Sequence, residues 1–462
     1  IFLYTSIGGK LFFAYFPMYR FSQNGYTEIR IFYQEEQLMK VTGIIAEYNP
    51  FHQGHAYHLA RARELTGADR LLVVMGGNFM QRGEPAIVDK YARAEMALKN
   101  GADLVLELPA AAATGSAEYF AEGAVELLDA SGVVDALCFG SELGKLAPLE
   151  KAAALLLEEP EEYRQLLREE LKRGKNFPEA REIALSAFFP ERELLSAPNN
   201  ILAIEYLKAL KRRKSSIEAV TIPRLGNYHG NDSGPVAQGT DSSESVSSGA
   251  APALETSSLR FASASEIRRQ LYALEELLQK SPDQPGSWQR LMADLADELP
   301  PSSFALLKDT LLAAHFVRAE DFALPLHYRL MQAKDSLEFA AYLDVSEELS
   351  RRIYSLRQDF TGWDAFVDLV RTRQYTRSRV SRALLHIFLD IRQEMARLPK
   401  ELRVLGFHRE ASDLLSEIKK KSQLPLVTKA AGHPELSEEI RISSFYHLGE
   451  SYNELSRQLI IL

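Results

Sequence analysis

From Val41 onward, short and predominantly apolar runs alternate with segments whose apolar residues return every three or four positions. The runs are Val41 to Ala46, Leu71 to Met75, Leu104 to Leu108, Ala136 to Phe139 and Ala219 to Ile222; among the intervening stretches are Ala56 to Thr66, Lys90 to Asn100 and Ser116 to Ala130. A strand that is apolar on both faces must be covered on both, so such strands joined by amphipathic helices predict a parallel sheet with helical crossovers. The expected fold is α/β, an open doubly wound parallel sheet whose ligands bind beyond the carboxyl ends of the strands. Asn231 to Ser258 reads NDSGPVAQGTDSSESVSSGAAPALETSS, with too little apolar content to pack, and is expected to be a flexible loop. After Phe261 the strand signal fades, and segments rich in Leu, Ala, Arg and Glu keep a helical period to about residue 395. The expected organisation is a sheet domain over 39–275, with the loop 231–258 inside it, and an α-helical domain over 276–462.

The first residues differ from this pattern. Ile1 to Tyr33 is rich in Phe and Tyr but is broken by Lys10, Arg20, Gln23, Asn24 and Arg30 and by Gly8, Gly9 and Gly25. That is too interrupted for a membrane span of about 20 apolar residues. No small-residue cleavage site follows an apolar core, as a signal peptide would require. Met39 directly precedes the first strand, so residues 1–38 are expected to be an upstream extension without a functional duty. With 46% hydrophobic and 25% charged residues over 462 positions, the rest reads as ordinary globular protein. The formal charge of −9 gives no global nucleic-acid signature, so any RNA must be held by a local patch. Cys138 is the one cysteine and can form neither an intramolecular disulfide nor, alone, a structural zinc site. A reducing cytoplasm follows as the expected compartment.

The chemistry begins at Gly43 to His58, GIIAEYNPFHQGHAYH. A buried strand ends at Ala46, Pro50 forces a turn, and His52, Gln53, Gly54 and His55 open the next helix. Two imidazoles three apart share one helix face. A helix N-terminus already offers unpaired N–H groups and partial positive charge, so the pair makes a site for the phosphates of a nucleotide. Gly54 is expected to let the backbone approach a phosphate. Two exposed histidines capping a helix, or a metal site of His52, His55 and His58, are the alternatives.

GIIAEYNPFHQGH is followed by GNFMQRGEPAIVDKYARAEMAL, GADLVLELP, CFGSE, APNNILAIEY and FASASEIRR. Further on come YTRSRVSRALLHI and LRVLGFHREASDLLSEIKKKSQLPLVTK. Together these resemble the bacterial tRNA(Met) cytidine acetate ligase family, within the HxGH nucleotidyltransferase superfamily with its Rossmann-like sheet. The likeness runs from about Val41 to beyond Lys429 and leaves out residues 1–38 and most of the loop after Asn231. It implies an ATP-dependent ligase that forms acetyl-adenylate from acetate, releases pyrophosphate, and acetylates N4 of the wobble cytidine of elongator tRNA(Met). It implies nucleotide contacts at Ile45, Ala46, Glu47, Tyr48, Asn49, Pro50, Phe51, His52, Gln53, Gly54, His55, Ala56, Tyr57 and His58, and at Gly140, Asn199 and Arg224. Composition and spacing alone stop at a nucleotide-binding transferase.

Attack of a carboxylate on the α-phosphorus develops negative charge on phosphoryl oxygens and departing pyrophosphate, so the site needs fixed cationic donors more than a base. His52 and His55 suit the α and β phosphates, with Mg2+ sharing the charge and no dedicated protein metal site expected. Gln81, Arg82, Asp89, Lys90 and Arg93 follow the second strand, and Lys90 is expected to act with the His pair. Gly76 and Gly77 could let the backbone approach the nucleotide. Gly140 leaves room for adenosine at the end of the fourth strand. Asn199 could read ribose or base, or simply cap a helix. Arg224 could bind phosphate or the substrate carboxylate. In FASASEIR, Ser263 or Ser265 would cap a helix and donate to the triphosphate, with Arg268 neutralising it.

In the helical half, Arg371, Arg373, Arg377 and Arg379 interleave with Tyr375, and Arg382, Arg392, Arg397, Lys400, Arg403 and Lys419 to Lys421 follow. This basic segment suits an RNA backbone, with Tyr375 or Trp363 available for stacking; a salt-bridged helix surface is the alternative. An adenylyltransferase acting on a small phosphorylated metabolite would share the His pair but has no use for the basic segment. Oligomeric state is not legible in the sequence.

Overall fold

The computed structural model describes residues 2–7, 10–15, 33–35, 39–189, 194, 197–224, 261–280, 285–313, 315–395 and 398–462. Two compact units separate at residue 40. In the first, Phe2–Ile7, Lys10–Tyr15 and Tyr33–Glu35 form a three-stranded antiparallel sheet. The rest of the 1–38 extension and the expected flexible loop 231–258 lie outside the described residues.

The second unit is built on one sheet. Its strands are β1 (Val41–Ala46), β2 (Arg70–Gly76), β3 (Leu104–Leu108), β4 (Ala136–Ser141), β5 (Glu218–Pro223), β6 (Leu402–Phe407), β7 (Leu426–Val427) and β8 (Ile460–Ile461). Their order is β7-β6-β3-β2-β1-β4-β5, with β8 also on β6. The first five are mutually parallel, as their two-faced apolar runs predict. The chain winds outward from β1 through β2 and β3, then returns to place β4 and β5 on the other side. The switch point therefore falls between β1 and β4, where an open sheet of this kind binds ligands.

Helix α1 (Gln53–Thr66) follows β1 and ends at Gly67, whose left-handed φ of 63° closes the last turn onto Arg63. Helix α2 (Lys90–Lys99) starts at Asp89, whose carboxylate accepts from the Ala92 N–H. Then come α3 (Ala117–Ala130), α4 (Pro198–Arg213) and α5 (Ala264–Lys280). Among the later helices are α6 (Trp363–Val370), α7 (Arg377–Leu389) and α8 (Ser437–Tyr446).

The expected boundary at 275/276 between a sheet domain and a purely helical one is corrected. Strand β6 runs antiparallel against β3, pairing Leu104 with Phe407 and Val105 with Gly406, so residues after 400 complete the sheet. Gly406 is a glycine because a Cβ there would stand 2.7 Å from Ile460 and 2.8 Å from Leu98. The cores are shared as well. Leu295, Leu299, Leu307 and Phe316 pack with Ile44, Leu59 and Val73, while Phe79, Met80 and Ala86 pack with Trp363, Phe366 and Leu384. Val41 to Leu462 is thus one compact unit, and its helical part cannot be lifted away without opening both cores.

Candidate active site

The turn after β1 is held from several sides. Tyr48 takes a left-handed backbone with φ 50°, uncommon for a bulky residue, and its buried ring lies 4.7 Å from Phe51 and 4.9 Å from His55. The Asn49 side chain accepts from the Ile87 N–H at 2.8 Å, and the Glu47 carboxylate from the Gln81 N–H at 2.7 Å. Burial raises the Glu47 pKa, and Glu84 adds to this, while the Gln81 N–H, Arg82 and Arg268 pull it down.

His52 is the N-cap of α1. Its Nδ1 accepts from the Gly54 N–H at 3.0 Å, and its own N–H donates to His55 Nδ1 at 3.3 Å, a reciprocal capping box made of two imidazoles. The rings stack at 3.8 Å. Burial, then the charge of Arg224, lowers the His52 pKa to about 3, and burial with His52, Arg224 and His58 lowers His55 well below its ordinary value. His58, one turn on, is lowered to about 4 by the same burial and Arg224. Both members of the pair are therefore neutral at pH 7. Since each Nδ1 accepts a backbone N–H, the proton of each ring sits on Nε2, the one donor it has to offer a ligand. Three buried polar atoms nearby, Tyr48 Oη, Asn49 Nδ2 and His58 Nε2, have no hydrogen-bond partner among the described residues, which marks a site that expects polar company.

The role expected of Gly54 changes. A Cβ on Gly54 would meet His52 Cε1 at 2.9 Å and Nδ1 at 3.1 Å, so the glycine makes room for the capping ring of His52. Across the switch point, a Cβ at Gly140 would meet nothing closer than Arg224 Cγ at 3.7 Å. The Arg224 N–H donates to Ser141 O at 3.0 Å, which fixes Arg224 at the end of β5 with its charge felt by all three histidines. Asn199 lies in the first turn of α4, where its side chain and backbone N–H both donate to Glu142, and the Asn200 N–H donates to the same carboxylate at 2.8 Å. Glu142 was not singled out from the sequence, although its place directly after a parallel strand was the available signal.

Helix α5 returns Arg268 to the first turn: its guanidinium donates to Asn49 O at 2.7 Å and to Glu84 at 2.7 Å, with Ser265 Oγ at 3.5 Å. Ser263, rather than Ser265, caps the helix by accepting from the Glu266 N–H at 3.2 Å. Tyr57 and Phe261 pack at 5.7 Å, which brings the residues before α5 against α1, and Gln53 donates to Leu299 O at 3.2 Å.

Three of the residues singled out after β2 serve the scaffold instead. Lys90 is fully buried, its Nζ 2.7 Å from Glu107, 2.9 Å from Glu454 and 2.9 Å from Ser443 Oγ. That leaves it no open face toward a nucleotide, which corrects the catalytic role expected of it. Arg93, equally buried, donates to the carbonyls of Glu47, Gly76, Gly77 and Val88, stitching the ends of β1 and β2 together. Asp89 caps α2 and pairs with Arg457 at 2.9 Å. Gly77 gives way to Glu107, whose Oε1 would stand 2.9 Å from a Cβ there.

The basic segment is likewise divided. Arg377 is held between Asp364, at 2.6 Å, and Asp368, so its charge is spent within α6 and α7. Arg371 reaches Asp368 at 3.5 Å, and Arg373 is exposed. Arg379 lies 5.1 Å over the Tyr375 ring, whose hydroxyl meets Ser346 Oγ at 3.3 Å, so that ring is already stacked. Trp363 and Arg403 are buried, which removes both as RNA contacts. Among the described residues no helix is long and apolar enough to cross a membrane, and no group of three His, Cys, Asp or Glu is placed to hold a metal ion.

Known proteins share this arrangement. The HIGH Nucleotidyl Transferase family model matches residues 39–247 and 247–459. The tRNA(Met) cytidine acetate ligase of Thermoanaerobacter sp. (strain X514) is 41% identical over 405 residues, 86% of this chain and 90% of that protein. The enzyme of the same name from Acetivibrio thermocellus is 40% identical over 402 residues, 85% and 88% of the two. The crystal structure of Thermotoga maritima TmcAL bound with alpha-thio ATP superposes with a TM-score of 0.76 at 31% identity, covering 92% of this chain and 100% of that one.

Proposed function

Because the chain belongs to the HIGH nucleotidyltransferases, and among them to the tRNA(Met) cytidine acetate ligases, we propose a division of the ligase reaction among its own residues. The protein is an ATP-dependent acetate ligase. An acetate oxygen attacks the α-phosphorus of ATP, pyrophosphate leaves, and acetyl-adenylate forms. The N4 amine of the wobble cytidine in elongator tRNA(Met) then attacks the acetyl carbon, AMP leaves, and the amine gives up a proton. The need for both ATP and tRNA supports a cytoplasmic location.

The observation that carries the assignment is the capping box at α1. It fixes two neutral imidazoles as Nε2–H donors beside a helix N-terminus, where the helix dipole already favours negative charge. Such donors need no reorganisation when charge develops on the α-phosphoryl oxygens, and each is worth roughly 10²- to 10³-fold in rate. Arg224 at the end of β5 and Arg268 at the first turn add fixed positive charge. Asn199, tethered by Glu142 just after β4, and Gly140, where a Cβ would meet nothing closer than 3.7 Å, are the residues assigned to the nucleoside. Magnesium finds its oxygen ligands most readily on the triphosphate itself, since the described residues offer no cage, and no step is assigned to it. The exposed Arg373 and the half-buried Arg379, with Arg371 at their edge, are the part of the basic segment best placed to meet the tRNA backbone.

Exchange of labelled pyrophosphate into ATP, measured with and without acetate and tRNA, tests this reading. The ligase shows exchange that needs acetate but not tRNA. Exchange driven instead by a small phosphorylated metabolite would make the protein an adenylyltransferase.

A further inference from the structure

The turn Gln81 to Glu84 touches both halves of the reaction. On one side the Gln81 N–H donates to buried Glu47 and Glu84 pairs with Arg268, so the turn borders the nucleotide site. The Gly83 N–H to Met80 O bond at 2.9 Å and the Met80 N–H to Glu84 O bond at 2.8 Å close it into a tight loop. On the other side Gly83 lies against the backbone of α7. It has φ 81°, and a Cβ there would stand inside the Ser381–Arg382 peptide, 2.8 Å from Arg382 Cα. Only glycine permits that approach. Ser381 Oγ donates to Gly83 O at 2.8 Å and locks it. Along the helix axis Ser381 is about 3 Å beyond Arg379 and about 6 Å beyond Arg377, at 1.5 Å per residue.

We propose that this turn is the positioning element that sets the distance between the acetyl-adenylate and the tRNA held on α7, with Gly83 and Ser381 as its two contact residues. Adenylate formation uses groups on α1, β5 and α5, and none of them touches Ser381. Acetyl transfer needs the cytidine amine within attacking reach of the acetyl carbon, so it alone depends on how α7 is docked. A misplacement of about 1 Å costs up to about a hundredfold in such a step.

The inference rests on α7 carrying the tRNA, and the experiment separates the two claims. Three quantities are read on Ser381→Ala, Ser381→Thr and Gly83→Ala: acetate-dependent pyrophosphate exchange, tRNA affinity, and single-turnover acetyl transfer to tRNA(Met). Ser381→Ala should slow transfer about tenfold and Gly83→Ala about a hundredfold. Exchange and affinity should hold within twofold in Ser381→Ala, and Ser381→Thr, which keeps the hydroxyl, should restore transfer. Unchanged transfer in both Ser381→Ala and Gly83→Ala overturns the proposal. So does a fall in transfer matched by equal falls in exchange and melting temperature, the mark of a merely structural contact. If Arg379→Glu leaves tRNA affinity untouched, the α7 surface itself is wrong and the proposal goes with it.

Discussion

Replacing His55 with alanine separates what the imidazole does for chemistry from what it does for the fold. In the folded protein His55 Nδ1 accepts the His52 N–H at a long 3.3 Å, and its ring stacks on His52 at 3.8 Å beside Tyr48 and Phe51. Losing half of the capping box costs about 1 kcal/mol of stability, within the ordinary range for a helix cap, so the variant remains folded at 25 °C. The loss to catalysis is larger. One preorganised donor aimed at developing phosphoryl charge is worth about 2.7–4 kcal/mol, or roughly 10²- to 10³-fold in kcat. Its partner also suffers, because without the stack His52 is free to leave the geometry that points its Nε2 outward. Acetate-dependent pyrophosphate exchange should therefore fall by at least two orders of magnitude, while tRNA affinity, proposed to rest on α7 and the residues just before it, holds. The assay is exchange at saturating ATP and acetate, with filter binding of tRNA(Met) and a thermal melt on the same preparation. Exchange within threefold of the parent in a folded variant would refute the donor role.

Lys90→Ala should lower stability by about 3–5 kcal/mol, the usual consequence of stripping one partner from a buried ion pair, because it leaves two buried carboxylates, Glu107 and Glu454, with Arg403 as their one remaining cation; chemical denaturation measures it. A variant of unchanged stability with no exchange activity would return Lys90 to the catalytic site. Both carboxylate oxygens of the half-buried Glu439 accept from the Ala110 N–H, and desolvation, then Glu107, raises its pKa to about 8 against the pull of that N–H, Lys90 and Arg403. Between its ordinary pKa of 4.5 and about 8 the folded state holds a proton that the unfolded state has released, so this group makes stability fall as pH rises through that window. Glu439→Gln, always neutral, should accordingly gain on the parent from pH 5 to pH 8 in paired melts, and a constant difference would exclude the protonated carboxyl. Charge reversal at Arg373 and Arg379 together should weaken tRNA binding and reduce the slope of log affinity against log salt by about two, one per lost phosphate contact. Arg377, already neutralised by Asp364 and Asp368, should change that slope little when replaced by alanine, and equal slopes for the two variants would move the RNA surface elsewhere.

The parallel sheet was legible because each of its first five strands is a predominantly apolar run with apolar residues on both faces, and only a strand covered on both faces needs one. Strand β6 was missed for a related reason: Leu402-Arg403-Val404 breaks the run with a buried arginine that Glu107 and Glu454 neutralise, and no sequence window shows that pairing. The His pair was visible from its spacing and its place after the first strand. Its capping box was not, since a histidine at an N-cap looks like any polar residue until its ring nitrogen is seen to accept a backbone N–H. Lys90 and Arg93 misled because a cation in the first turn of a helix after a parallel strand has two good uses. The choice between phosphate and buried carboxylate depends on Glu454, which is 364 residues away from Lys90 and reaches it only through the C-terminal fold. The same limit applies to the basic segment, where Asp364 and Asp368 consume Arg377 from the neighbouring helix.

The central claim is that one chain activates acetate at the sheet edge and hands the acetyl group to a tRNA base. Incubating the protein with ATP, isotopically labelled acetate and elongator tRNA(Met), then digesting the tRNA and analysing its nucleosides by mass spectrometry, tests it most directly. The label should appear as N4-acetylcytidine at the wobble position, only when ATP is present, with one AMP and one pyrophosphate released per acetyl group transferred. Unmodified tRNA from a protein that consumes ATP with acetate, or a label that never enters the tRNA while AMP is joined to a small phosphorylated metabolite, would contradict it.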